Sequence, residues 1–143
     1  MRIVMKRKNL AFILKFLSGL LLVFCLSAPA GAQQPGNPMP QIGQAIGAGN
    51  ASGVARYFGA FVDMNINGTQ STYSQNQGEM ILRNFFEKNK ADHFEAQRST
   101  MENGGKSGFT IGTLKANTGS FKVYFRIREK DNNLQLQELR IER

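Results

Sequence analysis

The chain has 143 residues, with 18 basic against 10 acidic side chains, one histidine, one cysteine and no tryptophan. Five of the basic residues and none of the acidic ones precede residue 16, so the formal charge of +8 leaves 13 basic against 10 acidic residues beyond the leader, or +3. The high pI therefore gives no argument for nucleic-acid binding, and with Cys25 as the lone cysteine there is no disulfide framework.

Residues 1–32 read as a secretory signal peptide. Arg2, Lys6, Arg7, Lys8 and Lys15 form a positive leader, Phe16 to Ser27 is an apolar run, and Ala30-Gly31-Ala32 supplies the small residues a signal peptidase accepts. Cleavage between Ala32 and Gln33 is expected, giving a periplasmic or secreted domain without cysteine and without a stable membrane anchor. An uncleaved anchor would need about 20 apolar residues, and Lys15 leaves the run short. Acylation at Cys25 would need a small residue before it, where Phe24 stands. Gln33 to Met39 reads as a disordered polar tether, followed by one domain over residues 40–143.

Ile42, Ala45 and Ile46 suggest a short helix stopped at Gly47 to Gly49. A second helix, capped by Asn50 or Ser52, is expected to carry Val54, Tyr57 and Phe58, with Gly59 as its stop. Val62, Met64 and Ile66 alternate with Asp63 and Asn65, which predicts a strand ending at the Asn67-Gly68 turn. Thr69 to Tyr73 leads back into the central helix, Ser74 to Asn89. There Ser74 and Gln77 have capping-box spacing, and Ile81, Leu82, Phe85 and Phe86 form a broad apolar face. Glu79, Arg83, Glu87 and Lys88 take the solvated side, and Asn89 is expected to end the helix in the left-handed region.

From His93 onward the chain alternates like β-structure. His93 to Met101 is extended, with a turn at Asn103-Gly104-Gly105. Phe109, Ile111 and Thr113 read as the inward face of the next strand. A three-residue loop, Asn117 to Gly119, would pair Ala116 with Ser120, Thr113 with Val123, Ile111 with Phe125 and Gly112 with Tyr124. Phe121, Val123, Phe125 and Ile127 alternate against Lys122, Tyr124, Arg126 and Arg128. After Asp131-Asn132 the inward parity flips between Leu136 and Leu139, which requires a β-bulge at Gln137 or Glu138. That bulge sets Phe125 opposite Leu139 and Val123 opposite Ile141. On the other face it sets Arg126 opposite Glu138, Lys122 opposite Glu142 and Tyr124 opposite Arg140.

Several of these stretches resemble a family of small exported Bacteroidota proteins, the domain-of-unknown-function family numbered 4783. The matching stretches are Gly49-Asn50 before Arg56-Tyr57-Phe58, Thr72-Tyr73-Ser74, Phe85-Phe86 with Asn89, Ile111-Gly112-Thr113, Phe121 to Phe125 and Gln137 to Ile141. The resemblance covers about Gln41 to Glu142. It implies an α+β cystatin-like or nuclear-transport-factor-two-like cone, in which short helices and one long helix pack on a curved antiparallel sheet over a possible pocket. It implies no activity. Where that family tends to have a His-Lys-Gly-type step this chain has Gln97-Arg98-Ser99.

Candidate chemistry is sparse. His93 beside Asp92 has general-base chemistry but no activated nucleophile near it in sequence, and it reads as an exposed strand-end histidine. One histidine with scattered carboxylates does not make a metal site, and no cofactor is expected. Candidate ligand contacts are Tyr57, Tyr73 and Arg98; Asp63 reads as facing solvent. Lys122, Tyr124, Arg126 and Arg128 form a basic-aromatic stripe that suits an anionic partner, although the register given above makes it a paired, largely neutralised face. The chain is therefore read as a non-enzymatic binding or protein-interaction module, whose partner is a small molecule or a protein. The same sheet face suits a homodimer. An isomerase- or dehydratase-like enzyme with a pocket between helix and sheet is the alternative.

Overall fold

The structure, a computed structural model, describes residues 36–143. The export leader, its cleavage point at Ala32 and Gln33, and the first residues of the tether lie outside the described residues. The described residues form one compact unit. Two short helices open it, α1 (Met39–Gly47) and α2 (Ala51–Ala55), followed by the hairpin β1 (Phe58–Ile66) and β2 (Thr69–Ser74). The central helix α3 (Gln75–Lys88) comes next, and then a meander of β3 (Ala91–Glu102), β4 (Ser107–Ala116), β5 (Gly119–Lys130) and β6 (Asn133–Glu142). The six strands form one curved sheet in the order β2-β1-β6-β5-β4-β3, with β1 and β6 parallel and every other pair antiparallel.

Local chemistry accounts for most boundaries. The Ser74 hydroxyl accepts from the Gln77 N–H while the Gln77 side chain accepts from the Ser74 N–H, so both first-turn donors are satisfied and α3 starts there. At its other end Asn89 has φ −129°, not a left-handed value; its amide Nδ2 donates to the Phe85 carbonyl at 2.9 Å instead. Asn50 caps α2 by accepting from the Gly53 N–H. That helix stops at Ala55, so Tyr57 lies beyond it and Phe58 already opens β1. Strand β1 is needed there because Phe58 pairs with Leu136 of β6. Met39 is likewise no part of a tether. It is the first residue of α1, buried, with its sulfur accepting from the Thr110 hydroxyl.

Leu82, Phe85 and Phe86 of α3 pack into a core with Ile42 and Ile46 of α1, Val54 of α2, Val62 and Met64 of β1, Leu114 of β4, Phe121, Val123, Phe125 and Ile127 of β5, and Leu136, Leu139 and Ile141 of β6. The expected register of the last hairpin holds. Phe125 pairs with Leu139, Val123 with Ile141, and Arg126 with Glu138, while Ile127 pairs with Leu136; Gln137 is the extra residue. The bulge keeps four apolar side chains of β6 on one face, where a regular strand would have sent two of them to solvent.

The β4–β5 register is displaced by one residue from the expected one. Ala116 pairs with Gly119, Gly112 with Val123, Ile111 with Tyr124, and Thr110 with Phe125. The loop therefore holds two residues, Asn117 and Thr118. It is tied to the chain just after α3: the Asn117 N–H donates to the Lys90 carbonyl, the Lys90 N–H donates to Asn117 Oδ1, and Thr118 Oγ1 donates to Asn89 Oδ1 at 2.6 Å. The inward face of β4 is consequently Gly108, Thr110, Gly112 and Leu114, all buried, and Phe109, Ile111 and Thr113 face outward. Small residues suffice on the inner face because α1 and the Phe94 ring already fill that side.

Candidate functional site

Two regions have the shape or charge for recognition. The first is a groove of about 530 Å³ between α1 and β3, lined by Met39, Gly43, Gly47, Asp92, His93 and Phe94 among others. It exists because α1 lies almost on β3: a side chain at Gly47 would sit 2.7 Å from the Phe94 backbone nitrogen. Its polar groups are largely occupied with one another. Ser99 Oγ and Thr110 Oγ1 are 2.9 Å apart, and Thr110 reaches the Met39 sulfur. His93 Nδ1 lies 2.6 Å from Asp92 Oδ2, with both side chains more than half exposed. The Ser99 hydroxyl is thus engaged by Thr110, while His93 is engaged by Asp92, so among the described residues of the groove the histidine is not paired with a hydroxyl.

The second region is the outer face of the sheet. β3, β4, β5 and β6 place Arg98, Ile111, Tyr124 and Arg140 in one row across the strands, and Thr100, Phe109, Arg126 and Glu138 in the next. Phe109 and Tyr124 stack diagonally between the rows with centroids 6.2 Å apart. Arg98 lies 5.6 Å over the Phe109 ring and Arg140 5.6 Å over the Tyr124 ring. A guanidinium stacked on a ring keeps its N–H edge free for a carboxylate or sulfate. Arg126 Nε donates to the Tyr124 hydroxyl at 3.0 Å; this bond, with the nearby Glu102 and Glu138, raises the Arg126 pKa above its ordinary value.

The anticipated neutralisation of this face is only partial. The strand register is as expected, but Glu138 turns along its own strand to Arg140, with Arg140 Nε donating at 2.7 Å. Among the described residues no carboxylate comes within ion-pair distance of Lys122, Arg126, Arg128 or Arg98. Glu138 stands directly opposite Arg126 in the ladder, but the Arg126 guanidinium is turned to the Tyr124 hydroxyl, which leaves Glu138 to Arg140.

The other sequence candidates do not converge. Tyr57 follows α2, half-buried, with Arg56 5.9 Å over its ring. Tyr73 of β2 lines a separate cleft of about 280 Å³ with Ile81, Asn84 and Lys88 of α3. Arg98 joins the outer face. Asp63 is exposed and accepts from the Thr72 hydroxyl at 2.6 Å, so it faces away from the core. Phe109 is an outer-face residue that the sequence does not reveal, because its alternation with Ile111 reads as an inward stripe.

Three helices on one curved mixed sheet define a cystatin-like, NTF2-like α+β domain. A domain of unknown function with a cystatin-like fold from Nostoc punctiforme superposes with a TM-score of 0.58 at 13% identity, covering 73% of this chain and 72% of that one. An NTF2-like protein of unknown function from Cytophaga hutchinsonii gives 0.52 at 10% identity, covering 72% and 83%. The family follows from the sequence: the domain of unknown function DUF4783 matches residues 39–142, and the chain belongs to that family. A DUF4783 protein from Bacteroides uniformis is similar at 25% identity and a TM-score of 0.71, covering 75% of this chain and 97% of that one. No curated protein matches the chain.

Proposed function

We propose that this is an exported, non-enzymatic binding module whose working surface is the outer sheet face, and that the partner presents carboxylates or sulfates. One observation carries the reading: Glu138 pairs with Arg140 on its own strand and not with Arg126 opposite, and among the described residues Arg98, Lys122 and Arg126 stand around an aromatic pair with no carboxylate within ion-pair distance. Exposed pairs of this kind contribute little to stability, so these side chains are free to exchange solvent for a ligand anion. Heparin and poly-glutamate are suitable probes. Glu138→Lys is expected to tighten binding to both, and the pair Lys122→Ala with Arg126→Ala to weaken it at least tenfold, with the effect fading at high salt. Equal retention of all three proteins on a heparin column would overturn the proposal.

Export is part of the same reading, supported by the leader composition and the Ala30-Gly31-Ala32 step. Intact-mass measurement of the protein from the cell envelope is expected to give a chain starting at Gln33. A mass that includes Cys25 would contradict it. Among the described residues no helix is long and apolar enough to cross a membrane.

The enzymatic alternative draws on the groove between α1 and β3, with the Asp92–His93 contact at its rim. His93→Ala separates the two readings, since it removes general-base chemistry at the groove and leaves the outer face intact.

A further inference from the structure

The two edges of the sheet are built differently. β3 is guarded: its pairing with β4 is interrupted between Ala91 and His93 and again between Ala96 and Arg98, and it carries Asp92, Glu95, Arg98 and Glu102. Bulges and charges of this kind are how natural sheets discourage edge-to-edge pairing. β2, Thr-Gln-Ser-Thr-Tyr-Ser, has no charge, proline, glycine or irregularity, and its register against β1 is unbroken from Ile66–Thr69 to Phe61–Ser74.

The hairpin turn determines which backbone groups of β2 are available. Asn67 and Gly68 have φ of 50° and 87° and form a two-residue loop, so Ile66 and Thr69 are the hydrogen-bonded pair that closes it. Alternate residues then face the other way, and Gln70 and Thr72 turn their N–H and C=O groups to the open edge. Beyond them the Ser74 N–H is already committed to the Gln77 side chain. The free edge is therefore short and bounded, with two donors and two acceptors alternating.

We infer that β2 is a self-association edge, pairing antiparallel with β2 of a second copy of this chain. Facing side chains in a ladder must share a sheet face, which restricts the two-fold registers. With Ser71 of one copy opposite Ser71 of the other, Gln70 meets Thr72 in both directions. All four open groups on each chain then find partners, and the Ser74 cap stays intact. No like charges meet, because the strand carries none. A charged strand would make the same backbone bonds but find no opposite charge on β2, whereas a second copy satisfies every open group and brings no unpaired charge to the seam.

The flank of α3 supplies apolar surface to the same seam. Asn84 and Ile81 line a cleft with Thr69 and Tyr73 of β2, and Met80, one turn before Asn84, is 61% exposed. Pairing at β2 brings the Met80 flanks of the two copies toward each other above the joined strands. The product is a continuous sheet through both copies that leaves the outer face uncovered, so this inference stands independently of the anion-binding reading.

The test is the mass in solution of the chain beginning at Gln33, by light scattering and sedimentation. Wild type is expected to run as two chains. Ser71→Lys and Ser71→Glu, each placing like charges directly opposite at the two-fold axis, are expected to run as one folded chain whose melting no longer depends on protein concentration. An equimolar mixture of the two is expected to restore the two-chain mass. Ser71→Cys, the only cysteine beyond residue 25, is expected to cross-link on mild oxidation even if the charged variants fold poorly. A single-chain wild type, a two-chain Ser71→Lys protein, or a Ser71→Cys protein that does not cross-link would each overturn the inference.

Discussion

Phe85→Ala is expected to lower the unfolding free energy by about 3–5 kcal/mol, a large part of the roughly 5–15 kcal/mol available to a domain of this size. Phe85 is 5% exposed and packs edge-on against two other rings, Phe86 of the same helix at 5.5 Å and Phe121 of β5 at 5.1 Å. It is the point where α3 is keyed to the middle of the sheet. Removing the ring loses its transfer free energy and both edge-to-face contacts, worth about 0.5–1.5 kcal/mol each. It also leaves a cavity between helix and sheet that the capped ends of α3 prevent from collapsing. Thermal melting followed by circular dichroism should show a fall of at least about 10 °C. Phe85→Leu should lose much less, since most of the volume remains. A Phe85→Ala protein melting within a few degrees of wild type would mean that α3 is not the element around which the sheet folds.

How much of this fold could be read from the sequence depended on whether local chemistry and long-range packing gave the same instruction. For α3 they agree: the Ser74–Gln77 box, the Leu82–Phe86 face and the helix length all point one way, and the helix lies as expected. The bulge at Gln137 was legible because Leu136 and Leu139 cannot both face inward on a regular strand, and no neighbour was needed to see it. The register of β4 was not legible. Its alternation, Phe109-Ile111-Thr113 against Gly108-Thr110-Gly112, suggests the apolar set faces inward, yet the volume on that side is supplied by Phe94 and α1, which are distant in sequence. Asn117 bonding to Lys90 then fixed a two-residue loop where local composition suggested three. At the outer face the positions of Lys122, Tyr124, Arg126 and Arg128 were legible from parity alone. The choice of Glu138 between Arg126 and Arg140 was not, because it depends on side-chain reach within a few ångströms. The edge character of β2 also needed the strand order, since the sequence around Thr69 to Ser74 says only that it is polar and extended.

Gly112→Ala is expected to be destabilising by about 1–3 kcal/mol, and Gly112→Val by more. A β-carbon at this position would lie 2.5 Å from the tip of the Phe94 ring and closer still to the Glu95 carbonyl oxygen on the neighbouring strand. The ring can turn aside only by leaving the space under α1 that it fills beside Gly43 and Gly47, and the carbonyl belongs to the ladder and cannot yield without breaking pairing. Hydrogen exchange should then show β3 opening before the rest of the sheet, because the strain falls between β3 and β4 and not on the β5–β6 hairpin. Ile111, the adjacent residue, provides the opposite control. It is 39% exposed and faces outward, so Ile111→Thr should change stability by less than about 0.5 kcal/mol. The two substitutions together distinguish the two possible parities of β4. If Ile111 faced the core, its replacement would leave a cavity and cost more than a methyl group at Gly112, which would then point to solvent beneath the Tyr124 ring. A tolerant Gly112 beside a sensitive Ile111 would reverse the face assignment of the whole strand and remove Phe109 from the proposed binding surface.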